Sequence, residues 1–209
     1  MKKPVEEIVA MEWEMFDRVQ NLGGRAPCQN DRDTFFIMRS SQLAAWSPAM
    51  RESYLNDLAA AQKAGRNLLS EKYAYMMART APDEYARICD RLPPRTPNKE
   101  RLIELICKAH VAWQEALARQ YPCLAGRGRA IRKEADSAAV TSFETYLWGE
   151  LATYSLDTLE RYAAYVAGLA REGVSLNAMI LQNMVAWYGY GSVEEAEARL
   201  SGGGADITS

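Results

Sequence analysis

The chain has 209 residues, 48% of them hydrophobic and 25% charged, with a net charge of −2. That composition suits one globular body with a filled core, and the near-neutral charge supplies no field for nucleic acid. One histidine and four scattered cysteines exclude the HExxH zinc motif, paired Glu-x-x-His di-iron ligands and a dense disulfide framework.

In chain order, the first predicted helix starts near Pro4. Val5, Ile8, Val9, Phe16 and Val19 form its apolar stripe, and Gly23-Gly24 ends it. Its charged start has no apolar run of the signal-peptide kind, and no stretch approaches the roughly 20 apolar residues of a membrane span. The loop Asn21–Asp33 carries Arg25, Cys28, Gln29 and Asp31, with Asp33 expected to cap the next helix, about Thr34–Ala45. Ser47-Pro48 opens a third helix that Gly65 closes. Leu68–Arg79 and Pro82–Leu92 read as two more. Pro93, Pro94 and Pro97 interrupt the pattern and mark a linker over 93–97.

Beyond the linker, Thr96 caps a long helix reaching about Gln120. A long loop over 125–140 carries Arg127, Arg129, Arg132 and Lys133. Helices are predicted at about Ser142–Thr153, Leu156–Glu172 and Leu176–Tyr188. Ser192 and Glu195 start a last one, and the tail from 201 is expected to fray. The fold class is all-α.

A shift of 108 residues aligns two stretches without a gap. Phe35, Leu43, Ala44, Ser47, Glu52, Tyr54, Ala59, Gly65 and Leu68 recur at Phe143, Leu151, Ala152, Ser155, Glu160, Tyr162, Ala167, Gly173 and Leu176. Trp13 aligns with Trp113, and GGRA at 23–26 with GRGRA at 126–130. The expectation is one domain over 1–200, built from a repeat half 4–92 and a repeat half 98–200 in a pseudo-twofold relation. Each half has an apolar face it cannot bury alone, so the halves should pack together and place a polar site between them.

The stretches EWEMFDRVQNLGGRAPCQND, FFIMRSSQLAAW, GRNLLSEKYAYMMARTAPDEY, GRAIRKEADSAAVTSFETYLWGELATYS and AWYGYGSVEEAE resemble a bacterial family known as domain of unknown function 4125. The resemblance covers about Val5 to Glu197. It implies membership without a known reaction and assigns no catalytic residue.

Arginine forks bind carboxylate or phosphate, so Arg25, Arg39, Arg129 and Arg132, with Gln29, Asp31 and Gln42, are the candidate ligand-binding residues. Arg39 has Asp31 or Glu71 as alternative partners. Tyr146 and Glu150 are helical i,i+4 neighbours and form the acid–base candidate, with Glu144 beside them. Thr141 and Glu144 also read as a capping box, and Glu150 falls opposite Gln42 in the repeat. His110 reads as a structural histidine. No metal or cofactor is implied. Two functional readings stay open: a cytoplasmic protein binding a small anionic or zwitterionic metabolite, with metal- and cofactor-independent acid–base catalysis as its chemistry, or a non-enzymatic helical interaction or accessory module for a partner enzyme.

Overall fold

Apolar stripes at helical spacing must be buried against one another, and the caps fix where each helix begins and ends. The computed structural model describes residues 4–20 and 24–202. Gly23 and the predicted tail beyond Gly202 lie outside the described residues.

Eleven α-helices occur among the described residues. The first four are α1 Pro4–Asp17, α2 Arg32–Ala44, α3 Pro48–Lys63 and α4 Leu68–Thr80. A short α5 Pro82–Tyr85 precedes the long α6 Pro97–Gln120, which is followed by a short α7 Pro122–Ala125. The last four are α8 Phe143–Ala152, α9 Leu156–Arg171, α10 Leu176–Trp187 and α11 Val193–Ser201. No strand occurs among the described residues. None of these helices is long and apolar enough to cross a membrane.

Several ends differ from the sequence expectation. Asp31, not Asp33, caps α2, because its Oδ1 accepts the Thr34 amide at 3.0 Å. Ser142, not Thr141, caps α8 by accepting the Thr145 amide. The helix expected over 82–92 is one turn of α-helix and a 3-10 turn, Cys89–Arg91. The loop over 125–140 contains a 3-10 turn, Lys133–Ala135. Ser192 accepts the Glu195 amide as expected, but the Glu195 carboxylate reaches back to the Gly191 amide instead of completing the box.

The same turn closes α3 and α9. Gly65 and Gly173 take φ of 68° and 70°, a left-handed conformation that glycine reaches without strain. The next amide in each turn, from Arg66 and from Val174, reaches back to Ala61 and Leu169.

Helix α1 packs on α2, α3 and α4, and α6 packs on α8, α9 and α10. Across the middle, α3 meets α9, α4 meets α8 and α2 meets α10. Trp46, Tyr54, Tyr154 and Tyr162 form an aromatic cluster where α3 and α9 converge, with Tyr54 and Tyr154 4.7 Å apart and Trp46 and Tyr162 5.2 Å apart. One continuous apolar core runs from Ile8 to Leu176, and a smaller cluster around Leu117 and Val193 seats α11.

Candidate functional site

Helix α8 lies close against α4 because Gly149 has no side chain. A Cβ there would stand 2.5 Å from the Met76 Cγ and 2.9 Å from the Lys72 carbonyl oxygen. This close approach puts Glu150 and Tyr146, one turn apart on α8, against Lys72 of α4.

Glu150 is buried and fully engaged. Its Oε2 accepts from Lys72 Nζ at 2.7 Å. Its Oε1 accepts from Arg39 at 2.9 Å, from the Tyr154 hydroxyl at 2.8 Å and from Gln42 Nε2 at 3.4 Å. Arg39 is held on its other side by Glu12, with Nε to Oε2 at 2.8 Å and Nη2 to Oε1 at 2.5 Å. The Tyr54 hydroxyl donates to the same Glu12 at 2.7 Å. Two carboxylates thus face two cations inside the protein, a balance that makes their burial tolerable.

The balance sets the acidity of each group. Burial alone would raise the Glu150 carboxyl, but Arg39 and Lys72 outweigh it and hold it far below the ordinary carboxylate range. A carboxylate so stabilised is a poor proton acceptor near neutral pH. Burial opposes the charge on Arg39, yet Glu12 and Glu150 raise its affinity for the proton. The Tyr54 and Tyr154 hydroxyls are raised by burial first and by the neighbouring carboxylates second, so both remain protonated donors.

Tyr146 is the exception among these tyrosines. Lys72 Nζ stands 3.7 Å from the centroid of its ring, and the Arg129 guanidinium 4.6 Å from it. The Lys72 charge, helped by a hydrogen bond with Tyr73, lowers the Tyr146 hydroxyl against the opposing effect of burial. Tyr73 is shifted the opposite way, by burial and by Tyr146. Tyr146 and Tyr73 are half-buried and Arg129 is exposed, so this end of the network opens toward the surface.

The other sequence candidates are distributed as follows. Arg25 folds back on its own loop, bonded to Asp17, Asn30 and the Gln29 carbonyl. Buried Gln29 ties that loop to α1 through the Phe16 and Val19 carbonyls. Asp31 is spent on its cap. Arg132 pairs with Glu115 at 2.5 Å, and Glu144 accepts the Lys133 amide at 3.1 Å. Of the expected residues, then, Arg39, Gln42, Glu150 and Tyr146 meet in one network, with Arg129 at its rim. Arg25, Gln29, Asp31, Arg132 and Glu144 organise loops around it.

Sequence reasoning missed Glu12, Lys72 and Tyr54 as site members. Glu12 did leave a signal: it falls among Ile8, Val9, Met15 and Phe16 on the buried face of α1, where an unpaired charge would be costly. His110 is a neutral, buried residue. Its Nδ1 donates to Asn177 Oδ1 at 2.6 Å, because the Asn177 amide nitrogen is committed to the His110 carbonyl and to Gln114. Its Nε2 therefore accepts the Tyr162 hydroxyl at 3.0 Å. Burial lowers its pKa to about 4. Among the described residues no three His, Cys, Asp or Glu side chains gather as a metal site requires. Cavities of about 200 and 380 Å3 open elsewhere, beside α1 and under the linker.

The profile of a family described as "Protein of unknown function (DUF4125)" matches residues 2–198. No curated protein and no solved structure matches the chain.

Proposed function

The chain belongs to the DUF4125 family of proteins of unknown function, and since that description carries no chemistry, we propose from the geometry that the protein binds a small anionic metabolite at the Tyr146 end of the network. Lys72 and Arg129 would supply positive charge, and Tyr73 and Tyr146 hydrogen bonds. The observation that carries this reading is one half-buried phenol with two cations over its ring and its hydroxyl made more acidic by Lys72. Any proton transfer would run through Tyr146, with Glu150 holding Lys72 in place rather than acting as base. Arg25, Gln29 and Asp31 in the first loop, and Arg132 in the second, would shape the rim without touching the ligand.

The site sits between two halves that we read as products of a duplication. Exchanging α1–α4 for α6 and α8–α10 turns each contact pair of one half into a contact pair of the other: α1 with α3 becomes α6 with α9, and α4 with α8 becomes α10 with α2. Displacement by 108 residues carries the bounds of α3 onto those of α9. For α1 and α6 the burial pattern supports a register two residues away from the Trp13–Trp113 match. It pairs Ile8, Val9 and Glu12 with Ile106, Cys107 and His110. Tyr54 on Glu12 then corresponds to Tyr162 on His110. Under the exchange, Leu147 of α8 stands for Arg39 of α2 and Ile180 of α10 stands for Lys72 of α4, so only one member of each equivalent pair would have kept a charge for the network. A cytoplasmic location fits the four unpaired thiols.

The test is calorimetry with inorganic phosphate and small carboxylates. Wild type should bind at least one of them saturably. Arg129→Ala and Tyr146→Phe should weaken it tenfold or more, and Arg25→Ala should leave it unchanged. Equal binding in all four proteins would refute the site.

The partner-protein reading has one observation of its own. Trp187, 53% exposed, packs edge-on against Phe36 at 5.5 Å across the α2–α10 seam. The corresponding positions of the other seam hold Arg79 and Glu144 as an ion pair. Trp187→Ser should abolish capture of a partner and spare anion binding, if that reading is the correct one.

A further inference from the structure

The cavity of about 380 Å3 under the linker is lined by Tyr75, Tyr85, Asp90, Pro93, Arg95 and Glu100, among others. Its volume is in the range of small-molecule sites. The linker wall is pinned in place, because the Tyr75 hydroxyl donates to the Pro93 carbonyl at 2.6 Å. Burial first, and Glu71 second, raise that hydroxyl to about 12, so Tyr75 presents a neutral aromatic ring.

The chain already seats one organic cation here. The Arg95 guanidinium lies 5.0 Å from the Tyr75 ring centroid and 4.7 Å from that of Trp148, and its Nε donates to Glu100 at 2.5 Å. Aromatic faces and a carboxylate are what recognise a guanidinium or an alkylammonium group. Glu100 compensates the charge of Arg95. Asp90 is exposed and enters no ion pair among the described residues. The open volume is therefore faced by one uncompensated carboxylate, the Tyr75 and Tyr85 rings and the apolar linker.

We propose that this cleft binds a small organic cation, a guanidinium or alkylammonium compound, with Asp90 as its counter-charge and Tyr75 and Tyr85 as its walls. The site is separate from the Tyr146 network and does not depend on that reading.

The experiment is titration of the full chain with agmatine and with tetramethylammonium, followed by calorimetry and by chemical-shift changes at Tyr85 and Asp90. Saturable one-site binding of at least one of the two is expected. Asp90→Asn and Tyr85→Leu, with thermal transitions like that of wild type, should each raise the Kd about tenfold or more. Arg129→Ala should leave it unchanged, which separates this site from the anion site. Absence of saturable binding by both cations, or equal affinity in wild type and both cleft variants, would overturn the proposal.

Discussion

Lys72 Nζ and Glu150 Oε2 are 2.7 Å apart, and the two residues reach each other across the α4–α8 seam, 78 positions apart in the chain. Both side chains are buried, at 5% and 8% exposure. The pair therefore contributes to holding the two seam helices in register as well as to the charge around Tyr146.

Lys72→Met leaves Glu150 with Arg39 as its remaining cation, and Glu150→Gln leaves Lys72 buried without its carboxylate. Lys72→Met and Glu150→Gln should each lower unfolding stability by about 3–5 kcal/mol. The double variant should cost clearly less than the sum, because neither charge is then stranded. Urea unfolding of the four proteins measures the coupling. Strict additivity would mean that the ion pair is energetically irrelevant.

Tyr146 should ionise below the ordinary tyrosine range near 10, because Lys72 favours its phenolate. Following phenolate absorbance against pH should show one early-titrating tyrosine in wild type. Tyr146→Phe should remove that step, and Tyr73→Phe should move it to higher pH by deleting the supporting hydrogen bond. An early step that survives in Tyr146→Phe assigns the acidic phenol to another residue.

His110 supplies a pH dependence of stability with a defined sign. Its pKa falls from the usual 6.5 to about 4 on folding, through burial. Between those values the unfolded chain binds the proton and the folded chain does not. Stability is thus fully retained above pH 6.5 and declines as pH drops toward 4. The loss should approach about 3 kcal/mol, at roughly 1.4 kcal/mol for each tenfold change in proton affinity. Denaturant unfolding at several pH values across that window should show this slope in wild type and a flatter one in His110→Gln. Parallel slopes would remove His110 as the cause.

Gly149→Ala should be destabilising by about 1–3 kcal/mol, the usual cost of forcing volume into a packed contact. The added methyl would meet the Lys72 carbonyl at 2.9 Å, and that backbone atom cannot move aside unless α4 and α8 separate. Gly168→Ala is the control: on α9 the new Cβ would meet only the Arg171 side chain at 4.0 Å, so the higher helix propensity of alanine should stabilise it by about 0.5–1 kcal/mol. Melting temperatures that move together in the two variants would contradict the packing account.

Much of the local structure was legible in the residues. Ser47, Ser155 and Ser192 cap the helices expected of them, and Gly65 and Gly173 end theirs, because capping depends on residues three or four positions apart. Asp31 and Ser142 displaced the expected caps at Asp33 and Thr141, because residues of the same chemistry within two positions of each other compete to cap the same helix. Glu150 and Gln42 could be matched as counterparts from the 108-residue shift, and their side chains stand 3.4 Å apart.

By itself, then, the sequence determined the all-helical class, the positions of the helices and the residues on each apolar face, since periodicity and capping act within a few turns of one segment. Only the tertiary structure decided which polar residues were partners. Arg39 had Asp31 or Glu71 as its expected protein partners and took Glu12 and Glu150 instead, and Lys72 stood unnoticed until Gly149 brought α8 against its helix. Pairing of buried charges depends on which helices approach closely and on the net charge their contact encloses, and neither quantity is a property of any single segment.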